Sequence, residues 1–485
     1  MNIIKKVLLI GGVNERAIFR NSFWLSISEL FSRIIKFYLI IYINNKIGPY
    51  EFGRFSYAFS YANIFGAVFD IGLTTIIIRE FAKNSKNEID LSYIFIFKAI
   101  IGIFITLILF LVSIFVIKDI GLHYIVIITC LFFVLTELTG TIFALYRARQ
   151  KMQLEAIVKI AQGSVLIISF FGLFYFYKNI FSLAYSYLLS ALLPLIAVLW
   201  FVIKSKGAIF NNIIINYKCI SIIKKYLKMS LPVALFGIVS SVYAYSDSFL
   251  LGYFGFVNET GIYTTFIRII SMTLLPMTLI SQAIFPKLSK EFDDAKAMQS
   301  TWNLQTELMI CLSFPIFIFG LIYSKQIILL LLGKTYLSGI KAFNILLFNT
   351  LLYYFYIAFY QLMIVINQQK KLLYISMIGA IINLILNIIL IKKYVMNGAA
   401  ISIVISNLIV LILLVLFAIR NIKINVINKK ILKYVLISGF SSLTLGIVML
   451  FRIDNIYISG SVSIVLYAIS YYILRKGILS NENNK

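Results

Sequence analysis

The sequence predicts an all-α polytopic membrane protein with about 14 transmembrane helices. Of the 485 residues, 61% are hydrophobic and only 13% are charged, and the mean hydropathy is +0.97. Soluble domains are about half apolar and a quarter charged, so most of this surface is not adapted to water. The apolar runs, for example 94–117 and 401–419, are continuous, whereas the strands of a membrane β-barrel would alternate. The spans are therefore predicted to be helices.

Clusters of charged and polar residues separate these runs, and each run is near the roughly 20 residues that a helix needs to cross the hydrocarbon core. The connections are short and leave no room for an extramembrane catalytic domain. The longest of them, 204–229, is rich in lysine. The predicted spans are 18–43, 55–78, 91–117, 122–146, 154–177, 181–203, 230–252, 262–286, 302–323, 340–366, 373–391, 398–419, 434–451 and 456–474.

The distribution of basic residues predicts the orientation. The net charge of +26 is spread between the apolar runs and forms no basic domain, so it does not indicate a nucleic-acid partner. With a cytoplasmic N-terminus, the inner segments hold about three times as many Lys and Arg residues as the outer loops, as the positive-inside rule expects. We therefore expect both termini in the cytoplasm. Residues 1–20 have a basic start without a small-residue cleavage site, and we interpret them as a retained cytoplasmic tail.

Two glycine-bearing segments, which follow the first and the seventh span, resemble each other at an offset of 208 residues. Aligning Gly53 with Gly261 also pairs Glu51 with Glu259. Six spans separate the copies, which indicates a parallel repeat about an axis along the membrane normal. The alternative is a chance similarity between two glycine-bearing turns. The repeat predicts an N-terminal six-helix bundle at 1–203, a cytoplasmic linker at 204–229, a C-terminal six-helix bundle at 230–419, and two additional helices with a cytoplasmic tail at 420–485.

Three charged residues of the first span, Glu29, Arg33 and Lys36, are spaced i, i+4 and i+7 and lie on one stripe of the helix. A charge near the bilayer centre costs at least about 2.5 kcal/mol on insertion scales. One interpretation is that this helix lines a wet cavity. The other is a Glu29–Arg33 ion pair with Lys36 reaching towards the interface. Three charges on one stripe exceed what a pair needs, which favours the cavity.

Charged side chains also lie within the later spans. Asp70 and Glu137 lie about two turns or more from their helix ends, which is too deep for short carboxylates to reach water easily. Arg268 lies roughly six residues inside the eighth span and keeps its charge in any environment, although a position at the outer rim is an alternative. Lys159 and Glu307 lie about one turn from the inner ends of their spans, where a solvated position is at least as plausible as a site, and Lys98 is borderline for a side chain that reaches the interface. The complete set is Asp70, Lys98, Glu137, Lys159, Asp247, Arg268 and Glu307.

Several other kinds of site are not indicated. The single histidine, His123, and three widely separated cysteines have no metal-ligand spacing. Residues 332–335 resemble the end of a phosphate-binding loop, but Ile328 stands where its first glycine belongs. A membrane glycosyltransferase would be expected to carry acidic or histidine residues in a sizeable outer loop, and the largest outer loop, 324–339, has neither. We expect no resident cofactor or metal.

A series of short segments along the chain is recognisable in combination. They are NSFWL at 21–25, IGPYEFGRFSYA at 47–58, FDIGL at 69–73, LP at 231–232, Asp247 with LLG at 250–252, GIY at 261–263 with Arg268, FP at 285–286, GKTY at 333–336 and NGAA at 397–400. This series resembles the bacterial polysaccharide flippases of the Wzx type. These are O-antigen and capsule repeat-unit transporters of the multidrug/oligosaccharidyl-lipid/polysaccharide exporter superfamily. The resemblance covers nearly the whole chain.

The resemblance implies two six-helix bundles that form a V, with a cationic cavity between them that opens alternately to either side of the membrane. It implies an undecaprenyl-pyrophosphate-linked oligosaccharide as the substrate, moved across the cytoplasmic membrane with H⁺ or Na⁺ as the coupling ion. Membrane lipids, and polysaccharide polymerase and chain-length proteins, are the partners that it suggests.

The charged residues can be assigned to such a function. A pyrophosphate needs fixed cations in a cavity of low dielectric, and the candidates are Arg33, Lys36, Lys98, Lys159 and Arg268. The carboxylates that could pair with them or exchange the coupling ion are Glu29, Asp70, Glu137 and Asp247. Two other functions stay open, namely an ion-coupled drug exporter of the same superfamily and a membrane enzyme of glycan assembly. A cationic cavity disfavours cationic drugs because like charges repel.

Overall fold

The computed structural model describes residues 13–66, 68–83, 88–204, 217–422, 424–426, 428–450 and 456–483. These residues form fifteen α-helices and one 3₁₀ helix (Lys334–Gly339). The α-helices are α1 (Val13–Gly66), α2 (Leu73–Lys83), α3 (Glu88–Val116), α4 (Ile120–Ala148), α5 (Met152–Tyr177), α6 (Phe181–Lys204), α7 (Tyr217–Tyr253), α8 (Val257–Thr273), α9 (Leu275–Lys290), α10 (Ala295–Ile322), α11 (Ser324–Leu331), α12 (Ile340–Val365), α13 (Gln369–Asn421), α14 (Lys429–Leu450) and α15 (Ile456–Asn483). Residues 1–12 of the predicted tail and 205–216 of the predicted linker lie outside the described residues.

Within the described ranges, eight helices are long and apolar enough to cross a membrane, and the bent pair of α8 and α9 would make a ninth. The predicted class, a multi-pass α-helical membrane protein, is therefore confirmed. The total of about 14 spans and the V-shaped arrangement of bundles stay predictions.

Two of the elements consist of two helices that are joined at a kink. In α1 the kink lies at Gly48, with φ +79° and ψ 173°, directly before Pro49. A proline disfavours helical geometry at the preceding residue, and glycine adopts a positive φ at little cost. In α13 the kink lies at Val395, with φ 52° and ψ −128°. Both kinks fall in connections between predicted spans.

The second predicted span, 55–78, is wrong as a continuous helix. Helix α1 ends at Gly66, and a turn over 68–72 precedes α2. Gly72 has φ +69°, and a Cβ there would lie 2.8 Å from the amide nitrogen of Ala234 in α7, so this turn needs glycine. The turn places Asp70 at the start of α2, where its Oδ1 accepts a hydrogen bond from the backbone N–H of Thr74 at 3.2 Å.

The chain forms two compact units, one up to Gly261 and one from Ile262. In the first unit α1 packs against α4, α5 and α7, while α6 packs against α4 and α5. Gly53 of α1 and Gly261 of α8 contact each other within this unit. A Cβ on Gly53 would overlap with the carbonyl oxygen of Val257, and a Cβ on Gly261 would overlap with that of Pro49. Each of the two glycines therefore lies against the backbone around the other, and they are the two residues that the predicted repeat aligns.

In the second unit α12 packs against α13, and α10 packs against α12 and α14. Buried amides link the two halves of α13, since Asn383 donates to Ser406 at 3.2 Å. Helix α15 is attached to α10 by Arg475, whose Nε donates to Glu307 at 2.5 Å. Helix α7 lies in the predicted C-terminal bundle, but in the structure it packs in the first unit. The predicted bundle boundaries stay a prediction.

Candidate functional site

A polar pocket of about 290 Å³ lies inside the first unit. The turn before α2 and helices α2, α4, α5 and α6 surround it. Its lining is Asp70, Thr74, Thr75, Thr136, Glu137, Thr139, Gly140, Phe143, Arg147, Glu155, Lys159, Gln162, Ala191 and Pro194. Five of these side chains are ionisable, although α4, α5 and α6 are each apolar enough to cross a membrane. The pocket is therefore the candidate site.

The first charge cluster of the pocket is centred on Lys98. Its side chain is 1% exposed, and its Nζ donates to Asp70 Oδ1 at 2.8 Å and to Glu137 Oε2 at 3.4 Å. Thr74 Oγ1 lies 3.3 Å from the same Nζ. Asp70 and Glu137 remain about one-third exposed, so both face the pocket. One lysine serves two carboxylates, and the cluster carries one negative charge when all three groups are ionised.

The second charge cluster has the opposite balance. The Glu155 side chain is 0% exposed and accepts hydrogen bonds from Arg147 Nε at 2.7 Å and Arg147 Nη2 at 2.5 Å. Lys159 Nζ lies 2.9 Å from the same carboxylate. Two cations therefore surround one carboxylate, which leaves one positive charge. Their side chains are 35% and 28% exposed, and both line the pocket.

Local sequence explains how this second cluster forms. Arg147 lies in the last turn of α4, and Gln150, with φ 58°, reverses the chain into α5. Glu155 lies in the first turn of α5, where the helix dipole favours a carboxylate. Lys159 follows it by four residues and Gln162 by seven, so the three side chains share one face of α5. The hairpin of α4 and α5 thus brings Arg147 onto this face.

The charged stripe of the first span is an ion pair with an additional lysine. Arg33 Nε donates to Glu29 Oε1 at 3.2 Å, which matches the ion-pair interpretation. Glu29 and Lys36 are exposed in α1, and Arg33 is half-buried. None of the three lines the pocket.

The two remaining predicted residues lie outside the pocket as well. Asp247 is 2% exposed in α7. Arg268 is half-buried in α8, and among the described residues its guanidinium has no recorded ion-pair partner. A half-buried arginine that keeps its charge is available for an anion. The roles of all nine predicted residues stay predictions, although Asp70, Glu137 and Lys159 line one pocket, and Lys98 binds Asp70 and Glu137 without lining it.

Arg147 and Glu155 are not among the site residues predicted from the sequence. They lie at the ends of adjacent predicted spans, where a charge is inexpensive and depth gives no signal. The two residues are eight positions apart and lie on either side of a chain reversal, and no sequence pattern marks such a pair as neighbours. A carboxylate in the first turn of one helix and an arginine in the last turn of the preceding one were the only available indications.

Residues 18–292 match the sequence profile of a family described as "Polysaccharide biosynthesis protein". The chain belongs to this family. The match covers more than half of the chain and confirms the resemblance to Wzx-type polysaccharide flippases. A Shigella flexneri protein named "Putative O-antigen transporter" is 26% identical over 411 residues, which are 80% of this chain and 94% of that protein.

Solved structures show the same fold. A structure of the lipid II flippase MurJ in an inward closed conformation matches with a TM-score of 0.77 at 18% identity, over 95% of this chain and 99% of that one. An inward-facing multidrug resistance transporter of the MATE family matches with a TM-score of 0.63 at 14% identity, over 81% and 97%. Flippases and drug exporters therefore share this fold with the family member described here.

Proposed function

We propose that this protein is a flippase that moves undecaprenyl-pyrophosphate-linked oligosaccharide repeat units from the inner to the outer leaflet of the cytoplasmic membrane by alternating access. The observation that carries the proposal is the charged pocket between apolar helices of a chain that belongs to the polysaccharide biosynthesis family. The names of the Shigella relative and of MurJ support it.

The physical properties of such a substrate match those of the protein. The oligosaccharide and pyrophosphate cannot cross the hydrocarbon core unaided, because buried charges and unpaired polar groups are expensive there. Fixed cations lower this cost, and the candidates stay Arg33, Lys36, Lys98, Lys159 and Arg268. Of these, Lys98 is already occupied by two carboxylates, which makes it a counter-ion more than a phosphate contact. The polyprenyl tail stays in lipid throughout.

We propose that the carboxylates of the first cluster exchange the coupling ion, H⁺ or Na⁺, in antiport with the substrate. Asp70 and Glu137 share one lysine, so their cluster is one positive charge short of neutrality. A cation that binds there would complete the balance in a medium of low dielectric. Asp247 and Glu29 are the further candidates for this role. Polysaccharide polymerase and chain-length proteins would act on the exported repeat unit.

Deletion of the gene in its own host tests this function. We expect surface glycan to be lost and lipid-linked repeat units to accumulate at the inner leaflet, because assembly continues without translocation. Re-expression of the wild-type chain should restore both, and an empty vector is the control.

The competing functions give different results. Unchanged surface glycan together with increased drug sensitivity would indicate an exporter of small molecules. Loss of the lipid-linked repeat unit itself would indicate an enzyme of glycan assembly.

A further inference from the structure

We propose that Arg147 and Lys159, fixed by the buried carboxylate of Glu155, form an anion subsite for the phosphate groups of the lipid-linked substrate. The inference rests on the proposed function and adds the place where the head group binds within the first unit. Glu155 is a positioning residue in this scheme, since it acts on the substrate only through the two cations.

The hydrogen bonds to Glu155 use only some of the N–H donors of Arg147 and Lys159. The Glu155 carboxylate accepts hydrogen bonds from the Nε and Nη2 groups of Arg147 and one from the ammonium of Lys159. A guanidinium has five N–H donors and an ammonium has three, so five N–H groups stay available. Among the described residues, no further acceptor is recorded for either side chain. The second edge of the arginine fork suits two oxygens of a phosphate.

Charge separates this arrangement from a purely structural ion pair. Neutralising Glu155 needs only Arg147, whose contact is bidentate, and Lys159 then adds a surplus charge at the pocket wall. A potential of one sign at the mouth of a low-dielectric pocket attracts anions.

The carboxylates of the pocket lie far enough away to permit an anion here. Glu137 and Arg147 are ten residues apart on α4, which is about 15 Å along the helix axis. Asp70 and Glu137 are both held by Lys98 at the other end of the pocket. The pocket therefore has a cationic end and a carboxylate end. A volume of about 290 Å³ is near the lower limit of ligand pockets, which suits a diphosphate more than a complete oligosaccharide.

The test measures binding of inorganic pyrophosphate and of farnesyl pyrophosphate to the purified full chain by calorimetry. Two variants weaken the subsite. Lys159→Gln removes the surplus charge and leaves the Arg147–Glu155 pair intact. The double variant Arg147→Gln/Glu155→Gln removes the guanidinium donors together with their buried partner and leaves only Lys159 charged, which is 28% exposed, so both variants are expected to fold. Lys151→Gln is the matched control, because it removes one exposed lysine of the connection between α4 and α5 that does not line the pocket.

We expect both subsite variants to weaken pyrophosphate binding at least about tenfold, since charge-assisted hydrogen bonds are lost, and Lys151→Gln to leave it within about twofold. Wild-type affinity in both variants would overturn the subsite, whether or not the chain exports glycan. Farnesyl pyrophosphate should bind more tightly than inorganic pyrophosphate. Equal affinity would overturn the assignment to a lipid head group and indicate free phosphate instead.

The positioning role of Glu155 has its own test. Glu155→Asp keeps the charge but shortens the side chain by one methylene, so the two cations are no longer held in the same place. We expect the dissociation constant for pyrophosphate to rise about threefold or more while the melting temperature changes little. A lower melting temperature with unchanged affinity would show that Glu155 has only a structural role. Failure of the proposed function is a separate observation, since it would appear as normal glycan export after deletion of the gene.

Discussion

The charged residues at the pocket of the first unit form two clusters of opposite charge balance. Lys98 is almost fully buried and is stabilised by Asp70 and Glu137, which in turn keep part of their surface in the pocket. A buried charge is tolerated when it is paired and hydrogen-bonded, and its cost returns when the partner is removed. Lys98 is therefore the residue on which the local charge balance depends.

Lys98→Gln is expected to destabilise the protein by about 3 kcal/mol, because it leaves two neighbouring carboxylates without their cation. A second substitution, Glu137→Gln, should restore part of the stability, since only one carboxylate then stays unpaired. Thermal unfolding of the purified protein measures both effects. Lys118→Gln is the control, because Lys118 is exposed in the connection before α4. Equal melting temperatures for Lys98→Gln and Lys118→Gln would contradict the assigned charge balance.

At this scale the sequence could predict depth but not proximity. Asp70, Lys98 and Glu137 are each predicted singly, because each is a charge within a predicted span, and Asp70 and Glu137 lie deep in theirs. Their separations of 28 and 39 residues have no periodicity, so their meeting depends on how three helices pack. Arg147 and Glu155 lie at helix ends, where charges are common, and they became visible only when the α4–α5 hairpin brought them together.

Glycine decides several features at the scale of the elements. Gly48 permits the kink before Pro49, and Gly72 permits the turn that interrupts the predicted second span. Membrane helices are apolar along their whole length, so the pattern of apolar residues does not reveal such breaks. A Gly-Pro pair, by contrast, is a local signal that can be read from the sequence. The glycine alignment at 53 and 261 was a pattern of the same kind, and in the structure these two residues contact each other.

Gly53→Ala is expected to destabilise the first unit strongly, because the added methyl would overlap with the carbonyl oxygen of Val257. Helix backbones would have to separate, and overpacking of this kind costs about 1–3 kcal/mol or more. Gly261→Ala should behave in the same way because the contact is reciprocal. Gly172→Ala in α5 is the matched control, since no atom lies within 4 Å of its Cβ position. The melting temperature of Gly172→Ala should equal that of the wild-type protein or rise slightly, because alanine has a higher helix propensity than glycine. Similar melting temperatures for all three variants would refute the close helix contact.

For the whole molecule, composition and run length were sufficient to predict the class, because the bilayer admits only helices and closed barrels. Composition and run length do not predict that the chain packs into two compact units that divide after Gly261. The predicted bundles begin and end at span boundaries, whereas compactness depends on long-range contacts such as those of α7 with α1. The orientation in the membrane is a property of the whole chain, and it decides which leaflet faces the Arg147 end of the pocket.

Both termini and the connection between α4 and α5 are expected on the cytoplasmic side, because basic residues concentrate there. Single cysteines at two exposed positions test this. Lys118→Cys lies in a predicted outer connection, and Lys151→Cys lies in a predicted inner one. A membrane-impermeant maleimide added to intact cells should label the first variant, and the second only after permeabilisation. The wild-type chain is the control, because Cys130 and Cys219 are buried and Cys311 is only partly accessible. The reverse labelling pattern would place the Arg147–Glu155–Lys159 cluster at the outer leaflet, where it would release the head group and not receive it.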